Sequence, residues 1–309
     1  MKNSISLLYI ILPLFALTGC FTGVESTPRI TKADVKRENI HATAESGYLS
    51  DLNTPNPSVW HKGRVFFVTD DKINLVLAPE DKSGISLSKG QYVAFDDVSS
   101  ALAVTGEDVA IVSFLSQDGK RYGYRSEVPY AEFMDKATFD LPFAVDMALV
   151  DSVKHRIDGR SFYIKTPAWY DESGSAQKHG LRHVEVQVTD VVPGDSNYPI
   201  RVVFARTGST DRGSVLMTVG DKRTSTRNFD TLFEFENPRI KYKNITDANW
   251  NLIVHSRVTP GMTKDECRLA LGAPKMQGVR PTTAGMVEYW QYSDGRYLLF
   301  EEGYLAVIR

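Results

Sequence analysis

Residues 260–275 read PGMTKDECRLALGAPK, and nearly every unusual choice in that stretch is helix punctuation. Thr263 and Glu266 have capping-box spacing: the hydroxyl can accept from the backbone N–H three residues on, while the carboxylate reaches back. Asp265 and Glu266 in the first turn suit the positive end of the helix dipole. Leu269 and Leu271 are candidate core contacts, and Cys267 and Leu271, four apart, share one face. Gly272 fits the left-handed position after the last turn, and Pro274 prevents continuation. A helix of about eight residues is marginal alone, so it needs a surface to dock on. Cys267 in such a helix reads as a small apolar residue facing that surface, because no histidine is tied to it by a motif.

The sequence that follows supplies the surface. VEYWQYSDGRYLLFEEGYLAVIR, from Val287 to Arg309, alternates and is broken at Asp294-Gly295 and Glu302-Gly303. Each X-Gly pair is a hairpin signal, since glycine accepts positive φ. The spacing predicts a three-stranded antiparallel meander over 287–292, 297–301 and 304–308, with the helix packed on one face in an α+β unit.

These residues resemble the small outer-membrane-assembly lipoproteins of the BamE/SmpA type, whose fold is shared with β-lactamase inhibitor proteins. The likeness is carried by Gly261-Met262-Thr263, Leu271-Gly272, Pro274, Trp290-Gln291-Tyr292, Gly295, Leu299-Phe300 and Gly303, and covers roughly Asn249 to Arg309. Cys267 stands where the pattern has an apolar residue, and the long preceding β region is no part of the short family member. The resemblance implies a domain that contacts other proteins, with Trp290, Tyr292, Tyr297 and Tyr304 as its candidate interaction surface. It also implies placement at the outer membrane.

The amino terminus agrees with an envelope protein. Met1-Lys2 is followed by an apolar run, ISLLYIILPLFAL, too short for a comfortable membrane span and laid out like a secretion signal. It ends in Leu17-Thr18-Gly19-Cys20, which resembles the lipobox of bacterial lipoproteins. That resemblance implies cleavage between Gly19 and Cys20 and acylation of Cys20, and several acyl chains anchor far more firmly than one. Phe21 follows in place of a retention aspartate and no acidic run comes after it, which favours the periplasmic face of the outer membrane. With Cys20 lipidated, Cys267 has no intramolecular partner.

Between anchor and C-terminal unit the chain is β-rich. Residues 20–57 read as a polar tether with a short helix near Lys32–Ala44, or as a packed arm. GRVFFVTDDKINLV from Gly63 then resembles GRSFYIKTPAWY from Gly159. Val112-Ser113-Phe114 pairs with Val202-Val203-Phe204, and Phe139-Asp140-Leu141-Pro142-Phe143 with Phe229-Asp230-Thr231-Leu232-Phe233, in constant order. The expected organisation is therefore a signal peptide over 1–19, a tether over 20–57, β modules over 58–150 and 151–245 that repeat one another, and a BamE-like domain over 249–309. The fold class is mainly β with an α+β C-terminal module, and each β module is a small SH3-like barrel or sandwich.

Composition and motif searching add little chemistry. Formal net charge is −2 over 309 residues, so no basic field argues for nucleic acid. His179 and His183 have helical metal spacing, but in an alternating strand that spacing puts them about 13 Å apart. Ser86-Leu87-Ser88-Lys89 reads as a turn, and Asp70-Asp71 and Asp96-Asp97 read as turn carboxylates. Trp60, Trp169, Trp250 and Trp290 are candidates for core packing or for a sugar-binding surface. The expectation is a non-catalytic, lipid-anchored interaction protein without cofactor or metal, its partners the membrane and an envelope protein. Recognition of a glycan or peptidoglycan fragment by the β modules is the alternative.

Overall fold

The computed structural model describes residues 44–81, 84–104, 106–220, 226–282 and 285–309. The expected signal peptide, the expected cleavage junction at Gly19–Cys20 and most of the expected tether lie outside these residues. Among the described residues no helix is long and apolar enough to cross a membrane.

The chain is mainly β, and its strands pair antiparallel throughout three sheets. The first sheet is built from β1 (Val65–Val68), β2 (Leu77–Pro79), β3 (Tyr92–Leu102), β4 (Asp108–Ser116), β5 (Arg121–Pro129) and β6 (Ala144–Asp146), with α1 (Tyr130–Asp135) between the last two. The second follows α2 (Met147–Ile157) and contains β7 (Ser161–Ile164), β8 (Ala168–Tyr170), β9 (Gln177–His179), β10 (Val184–Pro193), β11 (Ile200–Arg206), β12 (Arg212–Met217), then α3 (Phe229–Leu232) and β13 (Phe233–Glu234).

The two sheets share one strand order. The first runs β6-β1-β3-β4-β5-β2, and the second runs β13-β7-β10-β11-β12-β8 with β9 added at the end. The correspondence extends to single backbone bonds. Gly63 and Gly159 both have positive φ and both donate into the bulged strand, Gly63 N–H to Phe95 O at 2.7 Å and Gly159 N–H to Val188 O at 3.1 Å. Phe95 and Val188 donate back to Arg64 O and Arg160 O. Each bulge lies just after that residue, between Phe95 and Asp97 and between Val188 and Asp190. Glycine is required at both positions because a Cβ disfavours that backbone region. The segments that resemble each other in sequence, the Gly-Arg-x-Phe starts and the two Phe-Asp runs, occupy corresponding places.

Apolar residues of alternate parity make each core. In the first, Trp60 packs on Phe66, Phe95 and Phe139 at centroid distances of 4.8, 5.2 and 5.9 Å. The second gathers Phe162, Val186, Phe204, Val215 and the inner face of α2, namely Leu149, Val150, Val153 and Ile157. Two expected boundaries move accordingly. The break at 150/151 falls inside α2, which Asp146 starts by accepting from Ala148 N–H at 3.0 Å. From Ala44 onward the expected tether is a packed arm: Leu49 is buried in the second core, and the Tyr48 ring stands edge-on to Phe229 at 4.6 Å. Arg64, just before β1, binds the buried Asp146 carboxylate through Nε and Nη2, at 3.1 and 2.5 Å, and so ties the first sheet to the start of α2.

The last unit begins after α4 (Pro238–Lys241) with α5 (Asp247–Val254) and α6 (Lys264–Leu271), packed on a four-stranded sheet in the order β14-β15-β16-β17. The strands are β14 (Met276–Thr282), β15 (Gly285–Gln291), β16 (Tyr297–Glu301) and β17 (Tyr304–Ile308). Helix α6 has the expected capping box: Glu266 N–H donates to Thr263 Oγ1 at 3.2 Å, and Thr263 N–H to Glu266 Oε2 at 2.7 Å. Gly272 closes it with a φ of 83°. The sheet has one strand more than the expected three. β14 carries Gly278 and Pro281, residues that weaken a strand signal in sequence.

Candidate functional site

The parity of β15 decides what the C-terminal sheet presents. Trp290, Leu298, Phe300 and Leu305 face the helices and are buried with Ile253, Met262 and Cys267. Trp290 has no exposed surface; its Nε1–H donates to Glu288 Oε1 at 2.7 Å, and the Arg268 guanidinium sits 4.7 Å from its ring centroid. Tyr292 is 6% exposed, donates to Gly272 O at 3.3 Å, and burial pushes its phenol up to about 12. Of the four residues expected to form a contact surface, Trp290 and Tyr292 are therefore core. Tyr297 is half-buried and Tyr304 is 57% exposed.

The opposite face is built from the other parity. Tyr289 stacks on Tyr297 with centroids 5.7 Å apart and planes 18° apart. Val287 and Leu299, on the same face, are buried. The Tyr289 ring also lies over Gly278 on β14, so closely that a Cβ there would stand 2.6 Å from the phenol oxygen. Met276 and Val279 at the sheet edge are 53% and 57% exposed. An aromatic face bordered by an apolar edge can bury surface against another protein, with rigid tyrosines losing little entropy on contact.

Cys267 sits in the interior. It is fully buried, and desolvation first, then the charge of Glu266, pushes its thiol up to about 12. The protonated thiol is a poor nucleophile at neutral pH. Cys267 is expected to resist a thiol reagent in the native protein and to react within minutes once the chain is unfolded; rapid labelling of the native protein would contradict its placement.

The other sequence candidates are structural as well. Asp70 caps a turn by accepting from Lys72 N–H, and Asp71 accepts from Lys89 N–H within the Ser86–Lys89 turn. Asp96 is paired with Lys62 at 2.5 Å and with Arg121. Trp60 and Trp169 are buried, and Trp250 lies between Arg239 and His183. His179 is exposed on β9 while His183 is buried, so the pair does not converge. Among the described residues no three His, Cys, Asp or Glu side chains are grouped to hold a metal.

One feature had no local sequence signal. A cleft of about 680 Å³ opens where the second sheet meets the C-terminal unit, lined by Lys165, Arg182, His183, Glu234, Lys241 and Arg268 among others. Arg182 crosses this joint. Its Nε donates to Lys165 O at 2.7 Å and its Nη1 to Leu269 O and Ala270 O at 3.2 and 2.7 Å, at the carboxyl end of α6. Burial pulls its pKa down to about 10, so it stays charged at neutral pH and faces the negative end of the helix dipole. His183 Nε2 lies 3.2 Å from Leu269 O, and its Nδ1 is 3.6 Å from Glu234 Oε1. Basic and acidic side chains both line this cleft, and the hydrogen bonds of Arg182 hold the second sheet to the C-terminal unit.

Comparison with protein-family models, with curated proteins and with solved structures returns no match.

Proposed function

We propose that this is a lipid-anchored protein of the bacterial envelope, held by Cys20 at the outer membrane facing the periplasm. It works by protein–protein contact through a BamE-like C-terminal unit and not by catalysis. The observation that carries this reading is the outward face of the C-terminal sheet, where the Tyr289–Tyr297 stack, exposed Tyr304 and the Met276 edge form an aromatic and apolar border. Burial of Cys267 and of three of the four tryptophans weighs against thiol chemistry and against a flat sugar-binding platform.

Two measurements test the two halves of the proposal. Cys20→Ala is expected to move the protein from the membrane fraction to the soluble periplasmic fraction, and degradation by protease added to intact cells would sink the periplasmic placement. Crosslinking and affinity purification of the anchored protein are expected to recover an envelope protein, with recovery lost in Tyr297→Arg/Tyr304→Arg. Binding of cell-wall fragments with no protein partner would replace the contact reading with the glycan one.

A further inference from the structure

The sheets differ in how they treat their edges. In the first sheet the outermost strands β2 and β6 have three residues each, and in the second β13 has two and β9 three. Short edges of this kind offer little to another strand. In the C-terminal sheet β17 is partly covered by the chain before α6: Gly261 N–H donates to Leu305 O at 2.8 Å and Leu305 N–H to Met262 O at 2.7 Å. β14 has seven residues, and among the described residues only β15 pairs with it.

The direction of its free groups follows from the register. Tyr292 N–H donates to Arg296 O, which sets Trp290 and Glu288 to bond toward β16. Val287, Tyr289 and Gln291 therefore bond toward β14, and their partners Arg280, Gly278 and Met276 bond back. Gln277 and Val279 are left with N–H and C=O pointing away from the sheet. Pro281 is the next outward position, where a missing N–H costs no ladder bond.

We propose that β14 pairs with β14 of a second copy of this chain, antiparallel about a two-fold axis at Gly278, joining the two four-stranded sheets into one. In that register Gln277 of one copy stands opposite Val279 of the other, and the N–H and C=O of each residue are both used. Moving the axis to Val279 sets each Gln277 carbonyl against Pro281, which has no N–H, and brings the two Arg280 side chains to about 7–8 Å. With the axis at Gly278 the two arginines are four residues apart, roughly 14 Å, and each faces Met276 of the other copy. Gly278 has no side chain to obstruct the axis, and the Tyr289 ring already covers it. The edge thus matches its own donors, acceptors and charges. The inference rests on reading the C-terminal sheet as a contact surface, and a shared membrane anchor would concentrate the copies on one plane.

The test uses the full chain extracted from membranes in detergent. Sedimentation is expected to give a dimer. Val279→Pro removes an N–H that bonds nothing within one copy, so at concentrations where both chains are monomeric it should leave the melting temperature unchanged, and it should weaken dimerisation by about thirtyfold or more. Co-production of a Gln277→Cys chain with a Val279→Cys chain should give a disulfide-linked dimer on mild oxidation, and either chain alone should not. This crosslink decides the matter if the proline variant fails to fold. A wild-type chain that stays monomeric at all concentrations overturns the proposal, as does a cysteine pair that does not link. If Val279→Pro instead releases a different envelope protein from a monomeric chain, self-pairing falls and the contact-surface reading stands. If the variant leaves the dimer unchanged, self-pairing through β14 falls, and the contact-surface reading falls with it only if Tyr297→Arg/Tyr304→Arg also leaves partner capture unchanged.

Discussion

Arg182→Met is expected to loosen the C-terminal unit from the second sheet and to lower stability by about 3 kcal/mol, the loss of two or three charge-assisted hydrogen bonds at a buried joint. The guanidinium bonds three carbonyl oxygens, two of them at the end of α6, 87 and 88 residues downstream. Methionine fills similar volume, so the loss is electrostatic rather than a cavity. The carbonyls of Leu269 and Ala270 sit in the last turn of a helix, where intrahelical donors have run out, and Ala270 is fully buried. No water-exposed alternative is at hand for that carbonyl. Arg182→Lys should recover only part of the loss, because an ammonium cannot span the same fork. The readout that separates a joint from a general core effect is Cys267, which lies on α6 and is buried in the wild type. Thiol labelling of Cys267 under native conditions should rise with Arg182→Met while the circular dichroism of the β sheets is retained. An unchanged melting temperature and an unlabelled thiol would falsify the assignment of Arg182 to this joint.

The same joint marks the limit of what the sequence displays. Helix α6 is legible because each of its signals acts within four residues: Thr263 on Glu266, Gly272 on the last turn, Pro274 beyond it. The repeat of the two sheets is legible because glycine at 63 and 159 is demanded by backbone conformation and both are followed by Arg and an inward Phe. Parity on β15 is harder. Trp290 and Tyr289 are equally aromatic, and only the pairing with Leu298 and Leu299 shows which of them turns to the helices. β14 is not legible in the sequence because Gly278 and Pro281 argue against a strand, yet both suit an edge. α2 leaves a trace, with Asp146 as cap and Leu149, Val150, Val153 and Ile157 on one side, but it straddles the boundary that the repeat of the two β segments suggests. Arg182 and His183 have no local partners at all, and Tyr48 and Leu49 sit in a polar run whose apolar partners lie over a hundred residues away. Long-range contacts of this kind depend on topology, which alternation cannot specify.

Gly180→Ala is expected to destabilise the second sheet by about 3–5 kcal/mol. Gly180 follows β9 and donates to Pro167 O at 2.8 Å, which folds the β8–β9 hairpin over its own base. A Cβ there would meet the Trp169 ring at 2.0, 2.3 and 2.6 Å from three of its carbons. These are atoms of the ring body, so no rotation of a flexible end relieves the contact. Trp169 cannot retreat easily. It has no exposed surface, it stands edge-on to Phe204 at 5.0 Å, and its Nε1–H donates to Thr166 O at 2.8 Å. Ala in place of Gly180 must therefore expel the indole or move the hairpin, and either one opens the end of the core that Phe204 and Val202 share. A double substitution separates the two causes. Trp169→Leu alone should cost a few kcal/mol through lost burial, and Gly180→Ala added to it should cost almost nothing further, since the ring it strikes is gone. Additive losses in the double variant would mean that Gly180 acts through its backbone and not through the space beneath Trp169.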